Sequence, residues 1–287
     1  MRDGDHPMFQ AGRRLSEWID EIAVPNDDPL GQLIWATVIR SGDTYASISH
    51  LIGHEFDTQA AMLCRPLFED MVVAHWLSYN RDDSDWLIER FFRHREALAL
   101  VQLDLERRYG WSFGAPLVPD PQRLKAQQNE LLREFRGGVR NWWDPGKNGR
   151  GTGGDVTLGG VARILEEAAV KRERFDPRFA GGEEALLRRW DDVLNRWYAQ
   201  QLHHTAIGLP FQPHPEGPVT FDSDDSIAFA SFRVLFTAYW MYGQQIFLLY
   251  EHFGEDMTEY QRMFLEGLRE QANVVGFEGQ FHPYAPE

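Results

Sequence analysis

The sequence predicts an all-α fold, a multi-helix bundle of about nine helices in a single globular domain. Three observations carry that reading. Apolar residues recur three and four positions apart along most of the chain. No alternating apolar and polar run is long enough to demand a strand. The composition is that of a globular and rather aromatic protein, 43% apolar and 25% charged, with ten Trp, nineteen Phe and nine Tyr. A chain of 287 residues can bury a substantial core.

The expected organisation is a disordered N-terminus over 1–8, a helical domain over 9–274 and a tail over 275–287. The first helix is expected over 9–23 and the second over 29–53, where Gly53 breaks the pattern. The third spans 56–79, with Asp57 or Thr58 offering a capping oxygen, and the fourth spans 84–110, begun at Ser84 or Asp85 and stopped at Gly110. A fifth is expected over 121–137, a sixth over 157–173 behind Thr157, and a seventh over 183–208. The eighth, over 223–253, starts behind Asp222–Asp225, whose carboxylates cap it and complement its dipole, and Gly254 ends it. The ninth covers 256–274.

The eighth helix contains Ile227–Tyr250, an apolar stretch long enough to cross a bilayer. Arg233 and the Gln244–Gln245 pair interrupt it and are costly in lipid, so a buried helix is expected and no membrane partner. Cys64 is the one cysteine, which excludes an internal disulfide, and the start MRDGDHP has neither part of a signal peptide. A cytoplasmic location is the expectation.

The formal net charge of −15 repels nucleic acid at long range and argues against a general phosphate-binding surface. The excess is local. From Glu216 onward twelve acids face three arginines, which makes the C-terminal helices over 223–274 acidic. Between Asp120 and Arg150 seven bases face four acids, so a modest basic surface is expected there. The major break in helical pattern is the Gly-rich loop Gly137–Gly160. Its GKNGRGTGG core lacks the Gly-x4-Gly-Lys-[Ser/Thr] spacing that sets a lysine on the outer phosphates, so it reads as a surface loop and no cofactor is predicted. Trp142 and Trp143 beside it are expected to anchor the loop to the core.

Three groups of polar residues stand out on apolar helices. In Met62–Trp76, MLCRPLFEDMVVAHW, the residues Thr58, Met62, Arg65, Glu69, Val72 and Trp76 share one stripe, and Leu63, Leu67, Met71 and Ala74 another. The helix is nearly apolar all round, so Arg65 and Glu69 are expected to be desolvated and paired. Pro66 leaves the Met62 carbonyl without its helical donor and is expected to kink the helix. The pair is either a structural ion pair that fixes helix register or part of a ligand cluster. In Asn195–Thr205, NRWYAQQLHHT, one stripe runs Trp190, Trp197, His204 and a second Arg189, Arg196, His203. Either His is a satisfied core residue or the two serve a function. Third, His50 and His54 lie four apart on one face, a spacing that suits a metal, or a hydrogen-bonding pair at a helix end.

With these residues in view the chain resembles the bacterial family catalogued as domain of unknown function 5677. The resemblance runs through AAMLCRPLFEDMVVAHWL, ERFFRHREALALVQLDLERRYGW and, after TLGGVARILEEA, RWYAQQLHHT, a core of about 42–208. Arg65 and Glu69 match an Arg and a Glu of the family pattern and His203 its His. The family serine is replaced, by Ala199 or, in the neighbouring register, Gln200. The pattern is also similar to HEPN domains, many of them metal-independent ribonucleases that act at a dimer interface through Arg-x4–6-His. That resemblance implies that His203 moves a proton at a ribose 2′-hydroxyl, that Arg196 stabilises the phosphorane, and that the chain forms a homodimer.

Three functions are therefore expected in competition. The first is a non-catalytic sensor or interaction module in which Arg65, Glu69, Trp197 and His204 hold a small polar ligand. The second is a HEPN-like ribonuclease or phage-defence toxin on Arg196 and His203, with RNA as its partner. The third is a metal-dependent helical enzyme on His50, His54 and Glu69.

Overall fold

The computed structural model describes residues 7–25, 27–110, 121–135, 161, 165, 211–212, 220–221 and 224–274. Seven α-helices are present among them: α1 (Pro7–Glu17), α2 (Pro29–Gly53), α3 (Asp57–Tyr79), α4 (Asp85–Tyr109), α5 (Pro121–Glu134), α6 (Asp224–Phe253) and α7 (Thr258–Val274). The helices expected over 157–173 and 183–208 fall outside the described residues apart from Val161 and Leu165, both helical and buried. Beyond the helices there is one two-residue antiparallel pair, β1 (Phe211–Gln212) with β2 (Thr220–Phe221), in the register Phe211 to Phe221 and Gln212 to Thr220. The all-α class stands.

Where one globular body was expected, the chain packs as two compact units, residues 1–78 with 162–287, and residues 79–161. In the first unit α2 packs along α6, while α1 lies against α7, α6 and α2, and α7 against α6. The reason is the aromatic content of α6 and α7. Tyr239 stacks on Phe264 at 5.3 Å and Tyr250 on Tyr260 at 5.4 Å, with Trp18 set edge-on to Tyr260. Such rings bury large area and gain further from their mutual geometry. Their phenols are not wasted: Tyr260 donates to the Gly243 carbonyl at 2.8 Å and Tyr250 to that of Trp18 at 3.2 Å. Close approach needs glycine at Gly243, where a Cβ would lie 2.0 Å from the Phe264 ring. The long apolar stretch is thus a buried core helix, and no described helix is long and apolar enough to cross a membrane.

Helix ends follow local chemistry. Asp28 caps α2 by accepting from the Gly31 N–H at 2.8 Å, and Pro29 stands at the first helical position. Gly110 and Gly254 adopt left-handed φ of 67° and 68° at the ends of α4 and α6, as their positions predicted. Ser84 precedes α4 but its hydroxyl makes no cap bond; its carbonyl accepts from Leu87 and Ile88 instead. The first helix begins at Pro7, inside the stretch expected to be disordered, and ends in a 3₁₀ turn over Trp18–Glu21.

The second unit holds α4 and α5, which pack together around Ala97, Leu100, Leu131 and Phe135. A polar seam borders this core. Arg93 donates to Glu134 at 2.6 Å and to Glu130 at 3.0 Å, and Arg90 reaches Glu134 at 3.2 Å while its guanidinium lies over the Phe135 ring. The Glu134 and Glu130 carboxylates outweigh desolvation and raise the basicity of Arg93. Of the basic stretch Asp120–Arg150, Arg133 is described and is exposed.

Candidate functional site

Polar chemistry in the first unit gathers along α2. At its middle, Asp70 of α3 is 1% exposed, and Ser41 of α2 and Gln245 of α6 are fully buried. A carboxylate so placed needs compensation. Arg40 supplies it from the surface: its Nε donates to Asp70 Oδ2 at 3.0 Å and its Nη2 contacts Oδ1. The Ser41 hydroxyl donates to Gln245 Oε1 at 2.7 Å, with Asp70 Oδ2 at 3.4 Å in reach of the same proton, and the Gln245 amide donates to the Met241 carbonyl. This network ties three helices in one register, with Asp70 Oδ1 held by its ion pair to Arg40 and not by a hydrogen bond of good geometry. The Cys64 thiol next to it points at the Val234 carbonyl, and burial pushes its pKa up, so it remains a thiol.

One turn further along α2 the situation changes. Tyr45 is 3% exposed and stacks on Tyr242 at 5.4 Å, and its hydroxyl rests on Gly12 of α1, where a Cβ would come within 2.1 Å. The Tyr45 hydroxyl lies beside that of Ser49, yet both oxygens are buried and neither has a partner of good hydrogen-bond geometry. If one of the two donates to the other, one proton of the pair still has no acceptor. Burial raises the Tyr45 phenol far above its ordinary pKa, so that proton stays in place across the working range. Tyr239, Tyr250 and Tyr260 each donate to a backbone carbonyl; Tyr45 does not.

Tyr45 and Ser49 are among the residues that line an open groove of about 460 Å³ between α1 and α2, their hydroxyl oxygens buried beneath its surface. Arg13 and Ser16 line it from α1, and His50 and His54 from the end of α2. The imidazole rings are exposed and 4.3 Å apart, tilted by 57°. Ser16 already donates to the Gly12 carbonyl.

The residues singled out in the sequence fare differently. Arg65 is exposed and Glu69 partly buried, and the two do not pair with each other. Desolvation of Arg65 is therefore not found. The reason is that its stripe enters the core only from Val72 onward. The helix runs through Pro66 as one element. The acid that α3 does bury is the adjacent Asp70. It sits three residues after Leu67 and four before Ala74, on the more apolar stripe, and that placement is the signal that marks it. His75, the third polar residue of the stretch, keeps a rim accessible, but packing desolvates its ring and lowers its pKa to about 4. A neutral imidazole is what this part of the core accepts. His50 and His54 do come together, but Glu69 does not join them: among the described residues no three His, Cys, Asp or Glu side chains gather as a metal site. Arg196, Trp197, His203, His204 and the Gly137–Gly160 loop lie outside the described residues.

Comparison with protein-family models, curated proteins and solved structures gives no match.

Proposed function

We propose that the chain is a non-catalytic sensor or interaction module that holds a small polar ligand in the groove between α1 and α2. One observation carries this reading: two of the residues that line the groove, Tyr45 and Ser49, hold buried hydroxyls with a proton lacking an acceptor. Leaving a buried donor unmade forfeits on the order of 1–3 kcal/mol, and a ligand oxygen that reaches it through a small shift of the groove lining recovers it. A volume of about 460 Å³ suits a small molecule. The network at Ser41, Asp70 and Gln245 fixes the register of α2 against α3 and α6, and so holds Tyr45 and Ser49 in place.

A binding module of this kind is stabilised by its ligand through mass action. The test is a thermal-shift screen of small anions, cations and neutral polar compounds on the wild-type chain and on Tyr45→Phe. The variant removes only the unpartnered hydroxyl. A compound that raises the melting temperature of the wild type and loses most of that effect on Tyr45→Phe supports the reading. Equal shifts in both proteins for every active compound, or no shift at all, overturn it.

A further inference from the structure

The groove has a definite electrostatic character, which points to the class of its ligand. The polar side chains lining it are Arg13, Ser16, Tyr45, Ser49, His50 and His54, and among the described residues none that line it is acidic. Apart from Ser16, whose hydroxyl proton already goes to the Gly12 carbonyl, these are donor types, and three of them carry or can take positive charge. That runs against the chain's net charge of −15. The histidine pair sharpens the point. Two imidazoles 4.3 Å apart on exposed positions repel each other as cations. An anion at the outer edges of the two rings can accept from a ring N–H of each. A metal ion would need neutral rings and further ligands, and the described residues bring no third ligand within reach.

Resting on the reading of this groove as a ligand site, we infer that its ligand is a phosphomonoester. A carboxylate offers two coplanar oxygens, whereas a tetrahedral dianion presents three terminal oxygens that can be met from more directions. Arg13 lines the groove from α1 and the two imidazoles from α2, where Tyr45 and Ser49 also line it. The groove is also larger than inorganic phosphate needs, and Phe9 and Ala46 on its lining give an apolar surface for the organic part of an ester.

The experiment is isothermal calorimetry on the full chain with phenyl phosphate, inorganic phosphate, benzoate and zinc chloride, each at fixed ionic strength, on wild type and on Arg13→Gln, His50→Gln and Tyr45→Phe. Circular dichroism of each variant checks that it is folded. Binding of phenyl phosphate that weakens about tenfold in Arg13→Gln and several-fold in His50→Gln and Tyr45→Phe is the expected result, the first change reflecting a charge-assisted contact. Comparable binding of inorganic phosphate assigns the site to the free anion; a preference of about tenfold or more for the ester assigns it to the organic phosphate. Preference for benzoate or zinc, or binding of phenyl phosphate unaffected by all three substitutions, overturns the inference. Should a neutral or cationic compound bind in a Tyr45-dependent manner while phenyl phosphate does not, the anion assignment falls and the ligand-binding module stands.

Discussion

His75 lies in the most buried stretch of α3, and desolvation brings its pKa down from 6.5 to about 4. In the unfolded chain the same imidazole titrates near its ordinary value, so below that value the unfolded state binds a proton that the folded state refuses. The contribution of the neutral ring is fully present above pH 6.5 and is lost as pH falls from 6.5 toward 4. A difference of about 2.5 pKa units corresponds to roughly 3 kcal/mol, of which about 2 kcal/mol disappears between pH 7.5 and pH 5. The perturbation is His75→Gln, which keeps a polar amide of similar reach and removes the titration. Urea unfolding of both proteins at pH 7.5, 6, 5 and 4.5, followed by far-UV circular dichroism, gives the two stability profiles. Carboxylates elsewhere contribute equally to both, so they cancel in the difference. The wild type is expected to approach or fall below the variant as pH declines, with the gap between them changing by about 2 kcal/mol by pH 5. Parallel profiles, with a gap that changes by less than about half a kcal/mol, would show that the His75 ring is solvated enough to take its proton in the native state.

Other consequences can be measured on the same material. Arg40→Ala should destabilise the chain by about 3 kcal/mol, far more than is usual for an exposed side chain, because it strands the Asp70 carboxylate in the core. Asp70→Ala should lose somewhat less, about 2 kcal/mol, since Arg40 is then free to turn into water; denaturant midpoints decide the order, and a negligible effect of Arg40→Ala refutes the role given to the pair. Asp28→Ala removes both the cap on Gly31 and the 2.7 Å contact with His252, with an expected loss of about 1–2 kcal/mol by thermal unfolding. Burial pushes the Asp28 carboxyl up, but the Gly31 N–H and the His252 ring together outweigh it and hold it below the ordinary range. Its share of stability is therefore present above that range and fades in acid as the carboxylate takes a proton. Gly243→Ala places a methyl group against the Phe264 ring and is expected to lower stability by about 1–3 kcal/mol, since neither the ring nor the backbone can move cheaply. The ribonuclease alternative predicts that the purified chain cleaves RNA in chelator-containing buffer and that Arg196→Ala and His203→Ala each abolish the cleavage; intact RNA with all three proteins removes it.

Helix positions were legible because their ends carry explicit chemistry. Pro29 opens α2, Gly110 and Gly254 close α4 and α6, and the long apolar stretch announced α6 as core. What periodicity does not settle is which stripe of a helix that is apolar nearly all round faces inward. On α3 that ambiguity separates Arg65 and Glu69 from Asp70, the residue next to Glu69, and only the packing of α2 and α6 against α3 resolves it. Gln245 was visible as an interruption in an apolar run, but its partner Ser41 stands 204 residues earlier, and no local rule connects two positions so far apart. The His50–His54 pair was legible from its spacing alone. Its neighbours in the groove were not, because Arg13 comes from another helix and reaches the site only where Gly12 lets the Tyr45 ring close against α1.

The two polar positions on α2 invite a comparison that separates structure from function. Ser41 and Tyr45 are one helical turn apart, both buried and both hydroxyl-bearing. Ser41 is enclosed by groups that answer it: an amide oxygen at 2.7 Å and a carboxylate that Arg40 neutralises. A network completed in that way specifies a register, and nothing remains in it for a ligand to add. The hydroxyls of Tyr45 and Ser49 are held as firmly, by ring stacking on Tyr242 and by contact with Gly12, but the groups around them complete no hydrogen bond. Packed interiors rarely leave buried donors unanswered, and where they do, the shortfall calls for an explanation. Here the shortfall belongs to two residues that line a groove together with Arg13, His50 and His54. On the proposed reading that donor is arranged to receive an oxygen from outside the chain, and the neighbouring network keeps the helix that carries it from shifting to satisfy the donor internally.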